Sequence, residues 1–309
     1  MQKINGPDGS GTTAFVLTDL EGATAADGIV RSAKKILVDG ATMLARSRTY
    51  AWALLGEQVS GASAGINAAP PDHSAGVAAF VEAVTDRVRS GELSLDPGKG
   101  VSAEDLAPLA EVDQRSPLLR EARPHGTLAD ELLATSVVAA ASAAVGGLDG
   151  RRVAIEGGGD HLPALQALLE SAGASVVASG PDALTTEAEV LLAGSKAGVV
   201  DHTVAEQLPH RVIVPHAPIP VTAKGLAVAT RRGIVVLPDF LTTSGPLHAF
   251  RPEGTPTADD LLEQANAHAA GLTSELLDHP EGPLLGACYR AEDFLRTWQE
   301  QLPFGRPLA

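Results

Sequence analysis

The chain has 309 residues, 44% of them hydrophobic but only 3% aromatic, which is enough for two domains whose cores are built mostly from Ala, Val and Leu. A formal charge of −15 with scattered Lys and Arg argues against nucleic acid and anionic membranes as partners. The single cysteine, Cys288, excludes an internal disulfide and any multi-cysteine metal site, and no metal is expected.

The N-terminal "MQKINGPDGSG" is Gly-rich and lacks the apolar core of a signal peptide, and no apolar run approaches the ~20 residues of a membrane span. The expected compartment is therefore the cytoplasm. "TTAFVLTD" is β-branched and apolar enough for a strand, and "DGIVRSAKKILVDGATMLARSRTYAWALL" carries helical spacing over most of its length. "HSAGVAAFVEAVTDRV" reads as an amphipathic helix, and "PLAEVDQRSPLLREARPHG" as a Pro- and charge-containing connection. A first domain is placed at 1–126. Beyond it helix and strand alternate: "TLADELLATSVVAAASAAVGG", "RRVAIEGGG", "LPALQALLESAG", "ASVVAS", "EVLLAG", "RVIVPHA", "TAKGLAVATRRG" and "IVVLPDF". That alternation predicts βαβ units and a doubly wound parallel sheet over 127–246. Residues 247–309, with "TADDLLEQANAHAAGLTSELLDH" and "AEDFLRTWQEQL", add helices expected to pack back across the hinge.

"GEQVSGASAGINA", Gly56 to Ala68, has three glycines, small residues and hydroxyls at Ser60 and Ser63. Such a stretch fits where backbone passes close to a ligand or to other backbone. Local backbone bonding by the two serines is an equally good reading.

Together with "LARSRTYAWALLGEQVSGASAGI", "GKGVSAEDL", "GRRVAIEGGG", "EVLLAGSKAGVV" and "GIVVLPDFLTTSG", this stretch makes the chain resemble the Glu/Leu/Phe/Val dehydrogenase family, and the leucine and valine branch most of all. The resemblance runs from about Phe15 to Leu247. It implies two α/β domains with a cleft between them, oxidative deamination of an amino acid with hydride passed to a nicotinamide cofactor, and homo-oligomerisation, here as a dimer. The catalytic pattern departs from the family. The lysine of G-G-G-K-G-G-I falls on Ser63, the substrate-carboxylate lysine of T-Y-K-N-A on Ala51, and the general-acid aspartate on Gly98, with Asp96 two residues upstream and Lys99 next door. Family polar segments become Ala193-Gly194-Ser195, Ala217-Pro218-Ile219 and Thr243-Ser244-Gly245-Pro246. A serine of ordinary acidity supplies neither the charge nor the proton of such a lysine, and losing one catalytic acid or base costs about 10²–10⁴-fold. Standard deamination is not expected.

Gly157 and Gly159 match the first two glycines of a dinucleotide fingerprint, but the third position is Leu162, with Pro163 after it. Asp160 stands near where a pyrophosphate lies and repels it. Pro181 takes the place of the ribose-binding acid, with Asp182 one residue later. The cofactor is left open: NAD is compatible with the place of this fingerprint, whose residues are degraded.

His216, at the end of "RVIVPHA", falls where open α/β sheets bind ligands, and His125 comes second among the histidines. Lys196 is a candidate base or Schiff-base amine, or else an exposed loop lysine. Asp239 is as easily structural as functional, and Cys288 reads as a core thiol. Three functions follow, in this order: a non-redox enzyme acting on an amino-acid-like, imine or carbonyl metabolite, with His216, Lys99, Lys196, Ser63, Thr243 and Ser244 as candidate groups; an unusual NAD-dependent oxidoreductase; and a catalytically silent protein that binds a ligand or partner.

Overall fold

The computed structural model describes residues 1–5, 12–252 and 254–309, and the Gly-rich start read from the sequence lies largely outside them. The chain is α/β and divides into two compact units, Met1–Arg115 with Phe294–Pro307, and Ser116–Asp293 with Leu308–Ala309.

The first unit holds β1 (Gln2–Asn5), β2 (Thr13–Thr18), β3 (Ala26–Ala33), α1 (Val38–Leu54), β4 (Ser60–Asn67), α2 (His73–Arg89), β5 (Leu93–Pro97) and a short α3 (Ala107–Ala110). Its sheet runs β1-β2-β4-β3-β5, with β3 parallel to β4 and β5 and the remaining pairs antiparallel. The segment read as mostly helical from Asp27 is split: β-branched and small residues form β3, and the helix starts only at Val38.

The Gly-rich stretch is β4 itself, buried along nearly its whole length. A Cβ on Gly61 would lie 1.8 Å from the Ala45 carbonyl oxygen of α1, and one on Gly65 would strike the Phe15 ring and Ile36. The glycines therefore admit a helix and core side chains onto the strand. Of the two neighbours the sequence allows, a ligand or protein, the structure shows protein at both positions. Ser60 donates locally to the Gly61 carbonyl at 3.0 Å, but it also accepts from the Leu20 amide, distant in the chain, at 2.9 Å. Near the chain's end, Arg46 of α1 holds Asp19 and donates to the Phe304 carbonyl, tying that segment to the first unit.

The second unit holds β6 (Ala122–Arg123), β7 (Gly126–Thr127), α4 (Leu128–Val145), β8 (Arg152–Glu156), α5 (Leu162–Ser171), β9 (Ser175–Ser179), β10 (Val190–Ala193), α6 (His202–Gln207), β11 (Val212–Pro215), α7 (Ala223–Arg231), β12 (Val235–Val236), α8 (Asp239–Thr242), α9 (Ala258–Leu276) and α10 (Pro283–Leu295). Its parallel sheet has the order β12-β11-β10-β8-β9, so the strand order reverses between β8 and β10. In such sheets that reversal is where ligands bind, outside the carboxyl ends of the strands.

Thr127 and Asp130 form a capping box that starts α4, and Gly146 at φ +70° ends it. Contrary to the expectation of no apolar run near the length of a membrane span, α4, with its 18 residues, is long and apolar enough to cross a membrane by length and composition, with mean hydropathy 1.5. It packs against α9 and α5, and Leu128, Leu132, Val137 and Ala140 are fully buried. Helix α9 thus belongs with the second unit, while only Phe294–Pro307 of the C-terminal region groups with the first. The unit boundary falls after Arg115, upstream of the expected Gly126. Cys288 is buried inside α10, in keeping with a core thiol.

Candidate functional site

In the first unit the positions matched to catalytic groups carry little chemistry. Ser63 is fully buried in β4, and its hydroxyl is enclosed without a hydrogen-bond partner. Ala51 is buried in α1, and a side chain at Gly98 would crowd the Val30 carbonyl and the Arg31 stem. Lys99 is exposed.

The polar chemistry of this unit lies instead around Asp27, which the sequence reading did not single out. Asp27 is 1% exposed; Arg48 approaches it at 3.0 Å and Arg115 at 3.9 Å, and the Trp52 indole donates to it at 3.3 Å. Arg48 and Arg115 also hold Asp96, and Arg115 holds Asp113. Three carboxylates thus share two guanidiniums. Burial pushes Asp27 up to about 6, partly opposed by Arg48 and reinforced by Asp96. The signal present in the sequence was the i, i+4 spacing of Arg48 and Trp52, which puts both on one helix face. Asp96, two residues upstream of Gly98, is committed to these ion pairs.

In the second unit the strand ends meet as the topology requires. Glu156 at the end of β8 pairs in register with Ala193 at the end of β10, and its carboxylate accepts the amides of Gly194 and Ser195, both at 3.1 Å. His216 stands just past β11 as expected, but its ring is 1% exposed. Its Nε2 lies 2.8 Å from the Glu156 carbonyl, and its Nδ1 lies 2.9 Å from His161 Nε2.

A carbonyl only accepts, so His216 carries its proton on Nε2, and Nδ1 spends its lone pair on the His161 N–H. Burial lowers the pKa of His216, and burial with the neighbouring His216 ring takes His161 to about 4. His216, expected to face the ligand crevice, is therefore a neutral ring sealed between two partners. Gly194 serves that ring, because a Cβ there would sit 2.5 Å from His216 Cε1.

Thr243 and Ser244 donate to the carbonyls of Asp239 and Leu241, each at 2.8 Å, and Ser244 is buried. Asp239 takes the amide of Ile219, a non-glycine residue at φ 46°, and so braces a disfavoured backbone turn. Lys196 is exposed. His125 is exposed too, beside a cavity of about 140 Å³ that Arg123, Glu131 and Leu168 also line. The structure brings His216 to the Gly157–Gly159 loop through His161; among the described residues no hydrogen bond joins Lys196, Thr243 or Ser244 to that ring. Among the described residues no group of three or more His, Cys, Asp or Glu is placed to hold a metal.

The dinucleotide implied by the resemblance can be tested against these residues. Gly157 at φ +116° and Gly159 at φ +147° take backbone conformations that favour glycine. A helix N-terminus binds phosphate through free amides, but the Leu162 amide is used by the Gly159 carbonyl and Pro163 has none. Asp160 and Asp182 are exposed carboxylates on this loop and on the turn after β9. The amide pair at the strand reversal already holds a carboxylate of the chain. These residues do not fit a pyrophosphate.

The fold is that of the amino acid dehydrogenases. A hetero-hexameric glutamate dehydrogenase of Thermus thermophilus, in its leucine-bound form, superposes with a TM-score of 0.73 at 16% identity, over 94% of this chain and 86% of that one. The L-tryptophan dehydrogenase of Nostoc punctiforme gives 0.68 at 16% identity over 96% of both chains, and the glutamate dehydrogenase of Plasmodium falciparum gives 0.76 at 11% identity over 96% and 83%. No protein-family model matches the sequence, and no curated protein matches it.

Proposed function

We propose that this chain has the dehydrogenase fold without nicotinamide-linked oxidative deamination, and that it serves a small amino-acid-like, imine or carbonyl metabolite with no net redox change. The observation that carries this reading is the Glu156 carboxylate seated on the Gly194 and Ser195 amides. At the strand reversal, where sheets of this order bind ligands, the two backbone donors of this chain are taken by its own anion. The first unit supports the same reading, since the matched positions Ala51, Ser63 and Gly98 hold neither amine nor acid. Lys99, Lys196 and Thr243 remain the solvent-reaching candidates for binding or catalysis. His216 is reassigned to positioning, joining the end of β8 to the segment after β11. Self-association as a homodimer in the cytoplasm belongs to this proposal.

The test is absorbance at 340 nm with NAD and each of leucine, valine, phenylalanine and glutamate. Turnover should stay below a hundredth of a typical kcat of ~10 s⁻¹. Any of the four exceeding that rate refutes the reading.

A further inference from the structure

The cavity of about 140 Å³ in the second unit lies between the turn of the β6–β7 hairpin and α5. Two contacts fix the hairpin. The Leu128 amide donates to the Glu121 carbonyl at 2.9 Å, and Gly126, at φ +141°, comes so close to Asp130 that a Cβ would lie 2.8 Å from its Oδ2. Facing the turn, α5 presents Ala164, Ala167 and Leu168, a spacing of three and four that puts them on one face of the helix. Two of the three are alanines, so turn and helix do not close on each other, and these residues with Pro124 form an apolar wall. Protein interiors hold few voids larger than a water molecule, and one of roughly 150 Å³ accepts a small apolar molecule.

The rest of the lining is an ion pair. Arg123 Nε donates to Glu131 Oε2 at 2.6 Å, and both side chains are 25% exposed, so the pair meets solvent as well as the cavity. Exposed His125 stands beside it. The pair is not saturated. Arg123 Nη1 lies 3.6 Å from Glu121 and Nη2 lies 4.0 Å from Asp259, both beyond hydrogen-bond range and both to solvent-exposed acids. Among the described residues Glu131 Oε1 accepts no hydrogen bond.

A guanidinium end with open donors, a carboxylate oxygen with an open lone pair and an apolar hollow beside them suit a zwitterion. An α-amino acid carries its carboxylate and its ammonium on one carbon, matching a guanidinium and a carboxylate in direct contact. Its net charge is zero, whereas a lone anion would be repelled by Glu121, Glu131 and Asp259.

We propose that this cavity binds an α-amino acid with a short, branched apolar side chain. The ligand carboxylate takes the Nη1–Nη2 end of Arg123 through two parallel hydrogen bonds, the ammonium donates to Glu131 Oε1, and the side chain lies against Ala164, Ala167 and Leu168. The site shares no residue with the Glu156 amide pair and does not depend on the function proposed above.

The experiment is calorimetry of the full chain with L-valine, glycine, isovalerate and isobutylamine at one ionic strength. Valine should bind; glycine, which lacks the side chain, and the other two, which each lack one charge, should bind at least tenfold more weakly. Ala167→Phe fills the cavity from a half-buried position, and Glu131→Gln keeps the shape while removing the partner of the ammonium. Each should weaken valine at least tenfold. No valine binding to wild type overturns the site. Valine binding that survives both substitutions belongs elsewhere in the chain and overturns it equally. Isovalerate or isobutylamine binding as tightly as valine overturns the amino-acid assignment.

Discussion

His216→Ala should melt well below wild type, by roughly 6–20 °C. The ring fills a fully enclosed space, and its removal strands the His161 N–H and the Glu156 carbonyl, each costing about 1–3 kcal/mol when buried without a partner. With the cavity added, a loss of about 3–5 kcal/mol is expected, and a unit of this size loses about 2–4 °C per kcal/mol. His216→Gln, whose amide can still donate to the carbonyl, should recover part of the loss. A variant that melts within ~2 °C of wild type would show that the ring is not sealed as described.

The second large effect concerns Asp27. A carboxyl raised from 3.8 to about 6 in the fold binds its proton more tightly there than in the unfolded chain. Its contribution to stability is therefore present below the unfolded value and is lost as pH rises through about 6, amounting to about 3 kcal/mol. The buried histidines act in the opposite sense. His161, His210 and His268, each lowered from 6.5 to about 4 chiefly by burial, stabilise the fold above 6.5 and cease to do so as pH falls through about 4. Wild-type stability alone mixes these trends, so the comparison with Asp27→Asn isolates the carboxyl. Relative to wild type, Asp27→Asn should gain about 2 kcal/mol between pH 4 and pH 8 in urea denaturation. A constant difference across that range would mean that Asp27 ionises normally in the fold.

Much of this architecture is legible from residue patterns. The parallel unit announces itself through Thr127 and Asp130 at a helix start and through the apolar runs that become β8, β10 and β11. The strand β4 is hidden because Ser, Gly and Ala carry no strand signal, and their reason for being there is the backbone of α1 above Gly61. The site is less legible. His216 can be placed at a strand end from its neighbours, but what closes it is His161, far away in the chain, and Gly194, whose missing side chain makes room. Asp27 shows no signal in its own segment, since Arg48 and Trp52 come from α1 and Arg115 from beyond α3. Contacts between elements decide these roles, and composition does not encode them.

The most direct test of the central claim is isothermal calorimetry of the purified chain with NADH and with NAD. With Glu156 on the amide pair, Pro163 in the first turn of α5 and Asp160 beside it, neither dinucleotide should bind more tightly than about 1 mM, a standard free energy no better than about −4 kcal/mol. A dissociation constant in the low micromolar range for either one would contradict the account and make the chain a nicotinamide-dependent oxidoreductase.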